Sequence, residues 1–454
     1  MQITAITIFQ YKSIVQKQVI NPDLGQSIFI GKNNSGKSTI IDALSRFFRP
    51  LQNPDRFVDP ETKIELAVDL STKDRNALSK LGVTQLPKKI ILALNGEEFF
   101  VKTEDETKPL TREFSQFLLS RTVRIGALRD LDFVKMKKLF EEFQTGWPKA
   151  FKLFSKKFNY FFPDIKTPTK LFHEKKDWVE TTVKEHGQAR TIERLGLGFQ
   201  HLFILLLYYF HPRYNIILID EPEIHLHPQM IKRLFDLFEE NISEKQIFLT
   251  THSTLFVQPE LLSRVYRTVQ DKEQGTHFHS LAGAKVDTNR LEQELNADNC
   301  EMFFADRVLL VEGISDRIFM RSLLQTFYRN TQLDIKVIPV HGKENVDTYV
   351  ELLRAFHIRY FVMLDKDAFL DPNIHTIASV RKSNSYDQEQ ERLHEAGIYI
   401  LPHGDIEHHY PRRLFQHDLS KPLLAIRVAS GVTEKDLEEE RLKHIKEILD
   451  AITA

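Results

Sequence analysis

Residues 31–39 read GKNNSGKST and constrain the fold of this chain more than any other stretch. The run before them, Ser27-Ile28-Phe29-Ile30, is apolar with a β-branched lean, as a buried strand requires. The run after them, residues 40–48, places apolar side chains at helical spacing. Strand, glycine-rich loop and helix thus follow in the order of a phosphate-binding loop, which a chance surface turn would not do. Gly31 and Gly36 can turn successive N–H groups inward around a triphosphate. The N-terminus of the next helix adds partial positive charge. Lys37 is expected to reach the β- and γ-phosphates and Ser38 to ligate Mg²⁺, with Asn33, Asn34, Ser35 and Thr39 completing the cradle.

The rest of the composition narrows the class. A net charge of −1 over 454 residues sets up no global field for nucleic acid, so any such binding must come from local basic surface or from metal ions. A single cysteine, Cys300, leaves no partner for an internal disulfide and suits a reducing cytoplasm. Residues 1–20 mix charge with apolar residues and do not read as a signal peptide. The longest apolar run, residues 202–210, is too short to span a bilayer, so no membrane is expected.

In chain order, residues 3–8 and 15–20 read as strands, residues 63–70 as another, and residues 89–94 with 98–102 as a hairpin around Asn95-Gly96. From about 110 to 190 the pattern turns helical. There Phe151, Phe154, Phe158 and Phe161 recur at helical spacing with Lys152, Lys156 and Lys157 between them. A basic aromatic helix can be a nucleic-acid platform. The favoured reading is an amphipathic helix with its phenylalanines packed inward and its lysines solvated.

A second constellation starts at Leu195-Gly196-Leu197-Gly198-Phe199-Gln200 and an apolar helix over 201–210. Residues 215–219, NIILI, then form a continuously apolar strand ending in Asp220-Glu221. Asp220 is placed to orient a Mg²⁺ shell and Glu221 to polarise an attacking water. A further strand, residues 246–249, ends in Thr250-Thr251-His252-Ser253, which puts His252 where it can sense a γ-phosphate.

The order GKNNSGKST, LGLGFQ, IILIDEPEIHLHP and TTHS resembles ATP-binding-cassette (ABC) ATPases of the SMC, recombination-protein F and OLD (overcoming lysogenisation defect) type. The resemblance makes these elements Walker A, signature, Walker B with D-loop, and switch histidine, and names ATP as the nucleotide. It implies a homodimer or higher homo-oligomer in which Gly198 and Gln200 of one head face the Walker A of another. It also places His225 and His227 in the D-loop region, not in a metal site. The family's signature serine is here Leu197 and its second glycine Phe199, so engagement across such a dimer is weakened or rearranged.

Residues 271–300 are polar and read as a connector. Beyond them strands alternate with helical stretches, which implies a small parallel α/β domain. Glu312, Asp316, Asp365, Asp367 and Glu407 fall at or just past strand ends, where ligands gather in such sheets. Carboxylates converging on one rim repel unless cations neutralise them. Hard oxygen ligands suit Mg²⁺, Mn²⁺ or Ca²⁺. Asp316 alone could instead cap a helix.

VEGISD, LDKD, VHGKENV and LPHGDIEHHY at this spacing resemble the Toprim fold of topoisomerases, primases and OLD-family nucleases. The resemblance implies a DNA nuclease using two metal ions. Glu312 and Asp316 would hold one, Asp365 and Asp367 the other, with Glu407 in support and Lys421 as the family's late lysine. It thus implies catalytic roles for Glu221, His252, Glu312, Asp365, Asp367 and Lys421. The expected architecture is an α/β chain. It has an ABC-ATPase head over 1–270 with the helical insertion, a connector over 271–302, and a smaller parallel α/β Toprim domain over 303–454. The expected activity is an ATP-regulated, metal-dependent DNA endonuclease or nickase. The resemblance places it in bacterial antiviral defence, beside a partner protein or retron nucleic acid. The rival readings are an ATP-gated scaffold that binds nucleic acid without cutting, and a Toprim enzyme acting on RNA.

Overall fold

The computed structural model describes residues 1–48, 59–83, 86–126, 133–163, 165–166, 172–175, 178–185, 188–191, 195–240, 245–282, 295 and 299–454. The chain separates into two compact units, one formed by 1–256 with 264–278 and the other by 257–263 with 279–454.

Two six-stranded sheets build the first unit. One is antiparallel, in the order Gln18–Ile20, Gln2–Phe9, Lys63–Asp69, Lys89–Asn95, Glu98–Lys102, Thr107–Pro109. Its first five strands are those that alternation and the Asn95-Gly96 turn announce in the sequence. The other sheet is ordered Gly275–His279, Val265–Asp271, Gln26–Ile30, Gln246–Thr251, Ile216–Asp220, Thr122–Ile125. From Val265–Asp271 to Thr122–Ile125 its pairings are parallel. The three central strands are fully buried, as a parallel sheet covered on both faces requires.

Two expectations need correction. The described residues between 165 and 191 are strands, not helix: Ile165–Lys166, Phe172–Lys175, Trp178–Glu185 and Gln188–Thr191 pair antiparallel. The run WVETTVKE, rich in β-branched residues, carries the strand preference that a coarse helical reading passed over. The stretch read as a connector also contributes a strand, Gly275–His279, to the sheet that carries the phosphate-binding loop.

The helix Pro148–Phe161 begins with proline in its first turn, where a missing N–H costs nothing. Phe154, Phe158 and Phe161 are fully buried. Phe158 packs edge-on against Phe199 and Phe203 of the helix Leu197–Phe210, with ring centroids 6.0 and 6.1 Å apart. The phenylalanine face is core.

The second unit holds a four-stranded, wholly parallel sheet in the order Ile335–Pro339, Arg307–Val311, Arg359–Leu364, Ile398–Ile400. Helices Ile314–Phe327, Lys421–Gly431 and Lys443–Thr453 contribute Phe319, Leu323, Leu424, Val428, Ile445 and Ile448 to one core with strand residues Leu309, Val311 and Met363. Parallel pairing aligns the carboxyl ends of all four strands along one edge, which is where the acids lie.

Candidate functional sites

In the first unit the loop 31–36 leads from the strand Gln26–Ile30 into the helix Lys37–Arg46. Gly36 caps that helix at φ +94°, a left-handed angle costly for other residues. A Cβ there would also lie 2.3 Å from Thr276 Oγ1, so the neighbouring strand enforces the glycine a second time. The loop opens on a cavity of about 460 Å³ lined by Asn33, Asn34, Gly36, Lys37, Ser38 and Thr39 together with Glu221 and His252. The strand ending at Thr251 lies between the Gln26–Ile30 strand and the Asp220 strand, so His252 stands between the loop and the two carboxylates.

Lys37 Nζ donates to the carbonyls of Gly31 and Lys32 at 3.0 and 2.7 Å. Burial lowers its pKa to about 8, against the opposing pull of Glu221 and Glu223. His252 Nε2 lies 3.1 Å from Glu221 Oε1. Burial, then the nearby Lys37 charge, shifts His252 below the ordinary imidazole value. Glu221 itself sits at φ +47°, a strained angle of the kind found at functional positions. Asp220 Oδ1 accepts from Thr250 Oγ1 at 3.2 Å. Its Oδ2 accepts from Arg124 Nη2 at 3.0 Å.

Three residues here escaped the sequence. Arg124 lies in the strand Thr122–Ile125, inside a stretch read as helical, and had no local signal. Glu223 accepts from Thr251 Oγ1 at 2.7 Å and from the backbone N–H of His252 at 2.8 Å, so it fixes the loop that carries the histidine. Its position two residues past Glu221 was the only available hint. Thr276, against Gly36, lies in the supposed connector.

Gly198 and Gln200 do not line the nucleotide cavity. Gln200 is buried and its Nε2 donates to Leu195 O at 2.9 Å. A Cβ on Gly198 would fall 2.5 Å from His225 O, which makes that glycine a close-packing site against the loop after Asp220. His225 packs its ring against His201, with centroids 5.0 Å apart.

In the second unit the acids gather as the strand ends suggest. Glu312 follows the strand Arg307–Val311, and its Oε2 lies 3.5 Å from the N–H of Asp365, which follows Arg359–Leu364. Asp316 caps its own helix, accepting from Gly313 N–H at 2.7 Å, and is also buried facing Glu407 and Glu312. Capping and the acid cluster therefore coexist in one side chain. Burial, then the charges of Glu312, Asp316 and Asp405, pushes Asp365 up to about 8. Burial and the neighbouring Glu407 and Glu312 push Asp316 up to about 7, although its backbone hydrogen bond opposes them. Burial raises Glu312 and Glu407 as well.

Asp367 is more exposed than these acids, although its charge still acts on Glu312 and Asp365. Its side chain is 69% exposed and paired with Lys343 at 2.6 Å, so it lies on the rim. Asp405, whose charge also raises Asp365, joins the group. The triplet Asp405-Ile406-Glu407 offers two acids, and the sequence does not say which one turns inward. Lys421 Nζ donates to Asp405 Oδ2 at 2.8 Å and to Glu407 Oε2 at 3.2 Å. These bonds hold the Lys421 pKa well above the ordinary lysine value. Burial opposes ionisation of Asp405, yet bonds from Lys421 and His408 keep it well below the usual carboxylate range.

Among the described residues no three His, Cys, Asp or Glu side chains close on one point as a ready metal cage. The donor set nevertheless fits a hard divalent cation. It is all carboxylate oxygen, it is held together against its own repulsion, and Glu407 Oε1 is buried without a hydrogen-bond partner. A cation's charge lowers the carboxylate pKa values and is itself the attraction that gathers such ligands, so the lack of a closed cage does not outweigh the chemistry of the set.

A family model for an AAA ATPase domain matches residues 1–123. One for an AAA domain described as putative AbiEii toxin, Type IV TA system, matches 164–258. A model for the Toprim domain of overcoming-lysogenization-defect-like proteins matches 303–367. The chain joins an ATPase domain to an OLD-like Toprim domain. Among curated proteins it is 26% identical to an OLD nuclease of Thermus scotoductus over 39% of this chain and 36% of that one. It is 23% identical to the endonuclease GajA of Bacillus cereus over 48% and 40%, and 24% identical to the Old nuclease of Escherichia phage P2 over 47% and 41%. The matches thus span about two fifths of the length of these relatives. Among solved structures, an SMC head bound to the C-terminal winged-helix domain of ScpA aligns with TM-score 0.48 and 16% identity, covering 62% of this chain and 98% of that one. The OLD-like Toprim match ends at residue 367, so it takes in Glu312, Asp316, Asp365 and Asp367. No helix among the described residues is long and apolar enough to cross a membrane.

Proposed function

We propose that this chain is an ATP-regulated, divalent-metal-dependent DNA endonuclease or nickase of the OLD type. The observation that carries the reading is the carboxylate group of buried Asp316 with half-buried Glu312, Asp365 and Glu407, and Asp405 beside it, at the carboxyl ends of a parallel sheet. Isolated negative charges are not buried together without a counter-charge, and Lys421 alone balances only part of theirs.

Glu312, Asp316, Asp365 and Glu407 would hold the cations, with Asp367 at the rim. Bound there, divalent cations would stabilise both the attacking and the leaving oxygens of an in-line phosphodiester displacement. Lys421, kept charged by its two carboxylates, would present an ammonium to the phosphate. In the ATPase unit Lys37 and the loop N–H groups would bind the triphosphate, and Ser38 and Asp220 would complete the Mg²⁺ shell. Glu221 would accept a proton from the attacking water, with His252 hydrogen-bonded to the same carboxylate and aligned by Glu223. The ATPase then acts as a switch on the nuclease, and the heads pair as homo-oligomers. Its setting would be antiviral defence, with a partner protein or a retron nucleic acid, as the family resemblance of the sequence implies.

The test is a time course on supercoiled, linear and single-stranded DNA, with Mg²⁺ or Mn²⁺ and with or without ATP. It compares the full chain with Glu312→Ala and with Asp365→Ala. Loss of cutting with ATP hydrolysis retained is expected. Cutting at the wild-type rate by a chain carrying both Glu312→Ala and Asp365→Ala would falsify the nuclease reading.

A further inference from the structure

Next to the acid cluster the second unit has a separate concavity of about 370 Å³, lined by Glu407, His408, Arg412, Phe415, His417 and Arg441. Glu407 belongs to both, so the concavity borders the carboxylate group directly. Its charge is unusual. Arg441 Nη1 donates to the backbone carbonyls of Tyr410 at 2.9 Å and His408 at 3.4 Å, which fixes the guanidinium without cancelling its charge. Among the described residues neither Arg441 nor the exposed Arg412 has a carboxylate partner. The neighbouring Arg413 shows the contrast: its Nε donates to the buried Asp436 at 3.1 Å, and its charge is spent on the fold. The one carboxylate in the lining, Glu407, is already met by Lys421.

Two uncompensated guanidinium groups in a recess match the oxygens of a phosphate, because each offers planar, forked donors and is weakly hydrated. The half-buried Phe415 ring stands edge-on to His417 with centroids 5.0 Å apart, which presents an aromatic face to a sugar or base. A solely structural role leaves the charge of Arg412 unexplained, since it supports no other group.

We propose that this concavity seats a backbone phosphate of the nucleic-acid strand flanking the bond to be cut, with the adjoining base or sugar against Phe415 and His417. The proposal rests on the nuclease reading for its ligand class, but its test does not require cleavage.

Anisotropy of a labelled single-stranded oligonucleotide with the full chain, in EDTA and without ATP, is measured across a salt series. Each lost phosphate contact makes the slope of log K against log salt shallower by about 0.7 for a single strand. Arg412→Ala and Arg441→Lys are compared with Arg354→Ala. Arg354 bonds Tyr360 near the start of its strand, at the opposite edge of the sheet from the acids. Weaker binding and a shallower slope for Arg412→Ala, a smaller change for Arg441→Lys, and none for Arg354→Ala are expected. An unchanged slope in Arg412→Ala, or a wild-type chain that does not bind the oligonucleotide, overturns the proposal. Displacement of the strand by a mononucleotide at matched ionic strength overturns it in favour of a small-molecule site. If slopes change as expected while no metal supports cutting, the subsite stands and the nuclease reading falls.

Discussion

Arg124 Nη2 lies 3.0 Å from Asp220 Oδ2, while its Nη1 lies 2.8 Å from Asp42 Oδ1 on the helix that follows the phosphate-binding loop. One guanidinium thus ties the carboxylate expected to orient Mg²⁺ to the helix whose N-terminus would face the phosphates. Burial works against ionisation of Asp42, but bonds from Lys12 and Arg124 bring its pKa down to about 2. With two carboxylates to satisfy at once, the planar fork of arginine is the suitable cation.

Arg124→Ala should therefore lower stability by about 1–3 kcal/mol, since it takes the cation from Asp220, left with Thr250, and one of two cations from Asp42, left with Lys12 and Tyr11, while the arginine is partly exposed and screened. Arg124→Lys should recover only part, because one ammonium does not reproduce the fork. Urea unfolding with an unchanged m-value checks this; a midpoint equal to wild type for Arg124→Ala would show the bridge to be energetically idle.

Lys37→Ala should abolish ATP binding, because the phosphate charge loses its main counter-charge. Glu221→Gln should keep ATP bound but slow hydrolysis by about 10²–10⁴-fold, the usual contribution of a general base. Equilibrium nucleotide binding and phosphate release separate the two. Wild-type turnover in Glu221→Gln would mean that another group activates the water.

Lys421→Ala should reduce DNA cutting by about 10²–10³-fold, as removal of one charge-stabilising donor does elsewhere, with ATP hydrolysis unaffected. Lys421→Arg should retain more activity than Lys421→Ala. The single-turnover cutting rate is the measurement, and an alanine variant as fast as wild type excludes the lysine from the reaction.

His211 sets an acid limit on the first unit. It is fully buried among Phe143, Trp147 and Tyr214. Burial, then the nearby Arg213 and Lys245, lowers its pKa to about 4. Between pH 6.5 and about 4 the unfolded chain binds a proton here that the native chain does not, so stability falls as pH falls through that window. The full effect is on the order of 3 kcal/mol. His211→Phe should flatten the stability profile over the same range. An unaltered slope in that variant would assign the acid sensitivity to other groups.

Much of this molecule was written locally. The phosphate-binding loop, the apolar strand before Asp220, the antiparallel hairpin and the four strands of the Toprim sheet all follow from periodicity and from turn or capping residues within a few positions. The acids at the strand ends could be found for the same reason, since a strand end is visible in the sequence. The inward packing of the phenylalanine helix followed from its one-sided pattern. The β-branched run WVETTVKE carries the signal of the strands between 165 and 191, but the helical period of the residues before it masks that signal.

What the sequence alone determined was therefore the set of elements and the chemistry each one brings. Only the tertiary structure decided which side chains meet. Arg124 reaches Asp42 and Asp220 across 82 and 96 residues of chain. The addition of Asp405 to the acids around Asp365, the pairing of Lys343 with Asp367, and the meeting of Lys421 with Asp405 and Glu407 were likewise settled there. The physical reason is that a hydrogen-bonding preference or a hydrophobic period acts within one turn or one strand. The neighbours of a charged group depend on sheet order, and that order is fixed by crossovers and core packing far from the residue itself.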